Sequence, residues 1–174
     1  MASGSPKFGI DEEIVYAGKR MRVAGLVQFG AASGQKTARY LLAEPASAPV
    51  IVEDGDGRFS LLRPFPAAVR PRTSGNVVTV GREKYTLVGV RKLQVLAAAG
   101  QSPGAIPRAA VILSGVFEGP MGTLLREFAP GTRTQQAYYL VKTLGKDDVL
   151  STAEHAAARE DESRAAANRA LGED

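Results

Sequence analysis

From residue 13 to residue 144 the chain is a succession of short, apolar-alternating runs closed by glycine or Asp-Gly turns, and nothing else constrains its fold as much. "EIVYAG", "KRMRVAGLVQF", "TARYLLA", "PVIVED" and "RFSLLRPF" follow one another with turn residues between them. A period of two sends successive side chains to opposite faces, which suits half-buried strands rather than an amphipathic helix. In "RMRVAGLVQF" the alternation sets Met21, Val23 and Gly25 on one face and Arg20 and Arg22 on the other. Asp54-Gly55-Asp56-Gly57, between two apolar runs, reads as a hairpin turn. As a calcium loop it fails, because the third acidic position falls on Arg58 and no glutamate follows at the closing spacing.

"RPFPAAVRPRTSGN", from Arg63 to Asn76, has three prolines and no periodicity, and reads as a connector. A second series of strands follows in "NVVTVGREKYTLVGVRKLQVLAAAG", "AAVILSGVFEG" and "QQAYYLVKTL", with "MGTLLREFA" read as one more strand. The two series resemble each other. Val15–Phe29 and Val78–Gln94 share a turn glycine, a basic residue, an alternating strand and a second glycine. The glycine spacing differs by one residue, Gly18 to Gly25 against Gly81 to Gly89, a difference that one β-bulge would absorb. Glycines recurring mid-strand suit the sharp bends by which short sheets curl into small barrels.

The expected fold is therefore mainly β, with two small, bent, antiparallel, half-barrel-like units packed together and a C-terminal α-helical tail. The expected boundaries are a flexible N-terminus over 1–12, a first unit over 13–66, a connector over 67–76, a second unit over 77–145 and the tail over 146–174. In the tail, Ser151-Thr-Ala-Glu154 forms a capping box ahead of an alanine-rich, charged run. Alanine buries little apolar area, so this helix is expected to stand exposed and to be available to a partner.

One stretch invites a catalytic reading. "GAASGQKT", from Gly30 to Thr37, comes within one residue of the phosphate loop G-x-x-x-x-G-K-[ST], and "VIVED" follows like the strand that carries a magnesium-holding acid. Gln35 stands where the loop needs its second glycine, and "KTARYLLAE" is too short for a helical crossover. The region reads instead as a strand, a small-residue turn over Ala31–Gln35, and a returning strand, with Lys36 a solvated turn lysine. Other chemistry is sparse. The chain has no cysteine, and its one histidine, His155, lies in the polar tail. The acids Glu118 and Glu127, and Glu53 beside Asp54, read as solvated edge and turn residues. No enzymatic activity, cofactor or metal is expected.

The 174 residues, 44% apolar, suffice for one core or two small ones packed together. No apolar run approaches the roughly 20 residues of a membrane-spanning helix, and no leader pattern precedes the first strand. The absence of cysteine suits a reducing compartment, so a cytoplasmic location is expected. Net charge is +4, but residues 146–174 hold four basic and eight acidic side chains, leaving +8 on the rest. A basic body with an acidic tail points to an anionic partner, or to the tail itself as a cover for the basic surface. The candidate binding surface comprises Arg20, Arg22, Arg39, Arg58, Arg70, Arg72, Arg91 and Lys92. Phe29, Tyr40, Phe59 and Tyr85 are interleaved with the basic residues and fall where alternation favours the core.

The runs "GKRMRVAG" (Gly18–Gly25), "RYLLAE" (Arg39–Glu44), "VGREKYTLVGV" (Val80–Val90) and "LLREF…QQAYYL" (Leu124–Leu140) together resemble the bacterial domain-of-unknown-function family 4178. The resemblance covers residues 10–145 and implies a barrel-like β domain with no established activity, in genomic settings tied to membrane stress. The expected function is a non-enzymatic binding or scaffold module acting through protein contacts in a bacterial assembly, envelope or stress related. The alternative is a small barrel that binds single-stranded nucleic acid or RNA. Self-association and peripheral membrane contact stay open.

Overall fold

The computed structural model describes residues 6–43, 50–66, 68–100, 111–130, 136–145 and 147–172. Of the expected strand residues, Glu44, Pro49, Ala109, Ala110 and Gln135 lie outside these, as do residues 1–5 of the N-terminus and 146, 173 and 174 of the tail. The described strands are β1 (Glu13–Tyr16), β2 (Lys19–Ala31), β3 (Lys36–Leu42), β4 (Val50–Asp54), β5 (Phe59–Pro64), β6 (Arg72–Ser74), β7 (Val77–Val80), β8 (Glu83–Gly100), β9 (Val111–Gly119), β10 (Gly122–Phe128), β11 (Gln136–Leu144) and β12 (Val149–Ser151). A single helix, α1 (Thr152–Ala170), ends the described chain.

Neighbouring strands pair antiparallel in the order β12-β1-β2-β3-β4-β5-β11-β10-β9-β8-β7-β6. An additional pairing of β2 with β8 closes β2–β5 and β8–β11 into an eight-stranded antiparallel barrel. The mainly β architecture with a helical tail is as expected. The two units, however, do more than pack together. They share backbone hydrogen bonds at both seams, β2 with β8 and β5 with β11, so that neither half has its own closed sheet.

The internal likeness is structural. Each half is a short strand, a tight turn, a long bent strand and three further antiparallel strands. Tyr16 pairs with Lys19 and Val80 with Glu83, so both hairpins turn over two residues. Ala17 and Gly18 both have positive φ (52° and 76°), as a type I′ turn requires. In the other hairpin Gly81 takes the positive φ, 61°, at the first turn position, where a type II′ turn needs glycine. The one-residue difference in glycine spacing therefore comes from the turn type, with no need for a compensating bulge. Bulges do occur, but at matching places in both halves: the register slips between Val23 and Gly25 and again between Leu87 and Gly89.

Those bulges let one strand serve two cores. Met21 and Val23 pack in an outer core, whereas Val27 and Phe29, also odd-numbered, face the lumen. Strict alternation would keep all four on one face, and the extra residue at Ala24 flips the pattern. Gly25, expected beside Met21 and Val23, falls after the flip. Val88 acts likewise, setting Tyr85 in an outer core and Leu93 in the lumen. Three layers result. The lumen holds Val27, Phe29, Leu93 and Ile112 at one place and Val50, Leu62, Ala137 and Tyr139 at another. Outside it, the start of each long strand folds back over its own half. Ile14, Met21 and Val23 thereby cover Tyr40, Ile51 and Leu61, and Val78 and Tyr85 cover Phe117 and Leu124.

Three expected boundaries shift. The N-terminus is expected to be flexible, yet Phe8 is 2% exposed, edge-on to Tyr40 at 5.4 Å between ring centroids. The Phe8 amide donates to the Tyr40 hydroxyl, and that hydroxyl and the Lys7 amide both donate to Glu53 Oε1. The connector contains strand β6. The tail, set to begin at 146, starts with β12, whose Val149 is fully buried and whose residues pair with β1.

Beyond that point the tail stands as expected. Ser151 Oγ accepts from the Glu154 amide, Glu154 returns a bond to the Ser151 amide, and no residue of α1 is buried. Lys7 Nζ lies 2.8 Å from Glu154 Oε1 and ties the first turn to the N-terminal segment. Truncation after His155 keeps this anchor and, among the described residues, removes no buried side chain. It is expected to leave the thermal midpoint of the monomer within roughly 2 °C of the full chain, because little stability resides in exposed alanine. Differential scanning calorimetry at low protein concentration checks this, and a larger drop would place the helix within the cooperative fold.

Candidate docking surface

The outward face of β8 is the exception in a molecule whose barrel wall is otherwise well covered. Of the six large apolar side chains that stand exposed among the described residues, Val88 (58%), Val90 (62%) and Leu96 (49%) are all on this strand. Val90 lies opposite Gly115, Lys92 opposite Leu113, and Gln94 opposite both Val111 and Gly30. Directly opposed residues share a face, so the strip extends sideways over half-buried Leu113 and Val111 and over Gly30.

At one end the strip deepens into a cleft of about 530 Å³ lined by Gly30, Ala31, Ala32, Gly34, Lys36, Lys92, Gln94, Leu96 and Val111. Its geometry follows from local sequence. The Ala31 amide donates to the Gln35 carbonyl and the Gly34 amide to the Ala31 carbonyl, closing the turn that resembled a phosphate loop into a plain hairpin. Gly34 takes φ 84° there. Between the pairs Gln28–Ala97 and Phe29–Val95 the register slips, and the extra residue is Leu96. Its side chain lies over Gly30: a Cβ added at that glycine would sit 3.1 Å from Leu96 Cδ1. Gly30 thus gives the cleft its floor. Lys36 and Lys92 line the cleft together with apolar Leu96 and Val111. Such a lining complements a ligand that offers carboxylates beside an apolar side chain.

The eight candidate basic residues do not form one surface. Arg39 is the clearest departure. It lies on β3, 4% exposed, and its guanidinium bonds Glu127 of β10 in a bidentate pair at 2.5 and 2.6 Å. These strands are not neighbours, so the pair spans the lumen. The alternation that puts Tyr40 in the outer core necessarily turns Arg39 inward. Phe29 stacks on the guanidinium at 4.8 Å, and the Ser114 hydroxyl bonds Glu127. Burial by itself would raise the Glu127 carboxyl. The Arg39 charge and hydrogen bonds, with Ser114, outweigh it and hold the group below its ordinary range. Burial likewise opposes the Arg39 charge, and Glu127 more than restores it. Glu127 is thus no solvated edge acid, and Glu53 accepts two bonds in the N-terminal latch; Glu118 is exposed, as expected.

Of the others, Arg22 pairs with Asp11 at 2.9 Å and Arg58 with Asp56 at 3.2 Å. Arg20, Arg70 and Arg72 are exposed on β2, in the connector and on β6, while Arg91 is exposed on β8 and its charge acts on Asp54. Lys92 alone of the eight lines the cleft. Phe29, Tyr40, Phe59 and Tyr85 are all at most 4% exposed, placed in the cores as alternation required. The exposed valines and Leu96 escaped the sequence reading because an alternating strand gives no sign of which face a second layer covers. Among the described residues no group of three or more His, Asp or Glu side chains converges as a metal site would require, and no described helix is long and apolar enough to cross a membrane. Comparison of the chain with protein-family models, with curated proteins and with solved structures finds no match.

Proposed function

We propose that the protein is a non-enzymatic docking module that binds another protein across the outward face of β8, within a bacterial assembly. The observation that carries this is the strip of Val88, Val90 and Leu96, exposed on a barrel whose halves each cover their other outer faces with their own strands. Exposed apolar side chains interspersed with polar ones, as Lys92 and Gln94 lie between Val90 and Leu96 here, are a feature of protein-interaction surfaces. Kinship with family 4178, suggested by the motifs from Gly18 to Leu140, belongs to the same proposal, as does an envelope or stress setting. Single-stranded nucleic acid is the weaker alternative, because the four aromatics that could have stacked on bases are enclosed in the cores.

The test compares the wild-type chain with the Val88→Arg/Val90→Arg variant as bait in a host extract, after circular dichroism has shown the same fold for both. The expected result is a defined set of proteins retained by wild type and reduced at least tenfold by the variant, with weak dependence on salt. Equal retention by both chains would overturn the proposal. So would tight binding of mixed-sequence single-stranded RNA whose affinity falls steeply with ionic strength, the signature of phosphate contacts.

A further inference from the structure

Two segments of opposite character stand out. One is the cleft, lined by Lys36 and Lys92 together with apolar Leu96 and Val111. The other is the end of the tail. Leu171 caps α1 at 75% exposure, and the sequence continues Gly172-Glu173-Asp174, an apolar side chain followed by two carboxylates. The complement is one to one: a leucine for the apolar wall and two acids for two lysines.

We propose that the cleft receives the Leu171–Asp174 segment of a second copy of this chain, so that the protein self-associates head to tail. The inference rests on the reading of the β8 face as a protein-docking surface and names one occupant for its cleft end. Three observations favour a second copy over the chain's own tail. The helix is anchored at its first turn by the capping box and by Lys7, which fixes where it starts. None of its residues is buried, and it meets the body chiefly at β12 and β1, strands outside the barrel. Its 19 residues carry Leu171 about 28 Å from that anchor, at 1.5 Å per residue. The charge division favours the same contact. Residues 146–174 sum to −4 and the remainder to +8, so tail and body of separate copies attract while two bodies repel. A contact between unlike surfaces closes at two copies only when each copy lends its tail to the other. Where the exchange is not reciprocal, it continues into a larger ring or an open chain.

A charge exchange tests this on full-length chains by sedimentation equilibrium. Wild type is expected to gain mass with concentration and to lose that gain as salt screens the contact. Lys36→Glu/Lys92→Glu alone, and Glu173→Lys/Asp174→Lys alone, are each expected to weaken association at least tenfold. All four changes sit on exposed or tail positions, and circular dichroism verifies the fold. Combining the four in one chain restores the opposition of charge and is expected to restore association. Three results would overturn the inference: a wild-type chain that stays monomeric, a single reversal that associates like wild type, or a fourfold variant that stays as weak as its parents. The second would point to pairing between helices instead. The outcomes also separate this inference from the broader proposal. Partner capture that depends on Val88 and Val90, by a chain that is monomeric, sinks only the self-association. Charge-dependent self-association with partner capture unaffected by the arginine variant sinks only the broader proposal.

Discussion

Replacing Glu127 by alanine is expected to destabilise the protein by about 3–5 kcal/mol, because it leaves the Arg39 guanidinium buried in the lumen without its counter-charge. For a chain of this length that corresponds to a fall in Tm on the order of 10 °C. Arg39→Ala should cost a similar amount by stranding Glu127. The pair itself need not be a net stabiliser. Desolvating two ions costs several kcal/mol each, and the Arg39 Nε atom has no hydrogen-bond partner among the described residues. The double change Arg39→Met/Glu127→Leu, which removes both charges at similar volume, is therefore expected to regain most of the loss. A double variant as unstable as either single one would show that the geometry of the pair, rather than an unpaired charge, carries the effect.

The same pair sets an acid limb. The folded-state Glu127 carboxyl is held below its unfolded value, so the folded state binds the proton less readily than the unfolded chain does. Its contribution is fully present above about pH 4.5, the ordinary value, and is lost as pH falls from there through the folded-state value. Urea titrations at pH 7 and at successively lower pH should show wild type losing more stability on acidification than Arg39→Met/Glu127→Leu. Parallel loss in both chains would assign the acid limb to other carboxylates.

The second large effect is expected at Phe8. Phe8→Ala should destabilise by about 3–5 kcal/mol, the usual range for deleting a fully buried phenylalanine. The ring sits against Tyr40 and Phe59 and beside the Lys7 ammonium at 5.4 Å. Its loss opens a cavity over the outer core of the first half. It also loosens the latch in which the Phe8 amide reaches Tyr40 and the Lys7 amide reaches Glu53. Phe8→Leu should keep most of the stability, since it refills the volume. The check is chemical denaturation of the three chains together with limited proteolysis. In Phe8→Ala, cleavage ahead of residue 13 should precede global unfolding. An alanine variant within about 1 kcal/mol of wild type would mean that the N-terminal segment is dispensable, contrary to the burial seen for Phe8.

Much of this protein was settled by local sequence. Period-two alternation determined the strands, because a strand's two faces are fixed by covalent geometry. The Asp54–Gly57 turn, the Ala31–Gln35 turn and the Ser151 capping box followed from residue types whose backbone preferences act over a few positions. The burial of Phe29, Tyr40, Phe59 and Tyr85 followed from the same alternation, and the repeat from Val15 and Val78 marked two like halves.

What local sequence left open was decided by contacts distant along the chain. Arg39 and Glu127 are 88 residues apart, and only closure of the barrel turns both into one lumen. On an open sheet the same alternation would leave Arg39 on a solvated face, which is how it looks in isolation. The bulges at Ala24, Val88 and Leu96 shift a register without changing composition, so the face served by each half of β2 and β8 is invisible until the partner strand is known. Phe8 lies outside any periodic run, and its place in the core depends on an opening between Tyr40 and Phe59 that exists only after folding. The cleft has the same origin. Gly30 and Lys36 are close in sequence, but Lys92, Leu96 and Val111 reach them only across the β2–β8 seam and the β8–β9 pairing, where long-range hydrogen bonding, not local preference, determines which side chains meet.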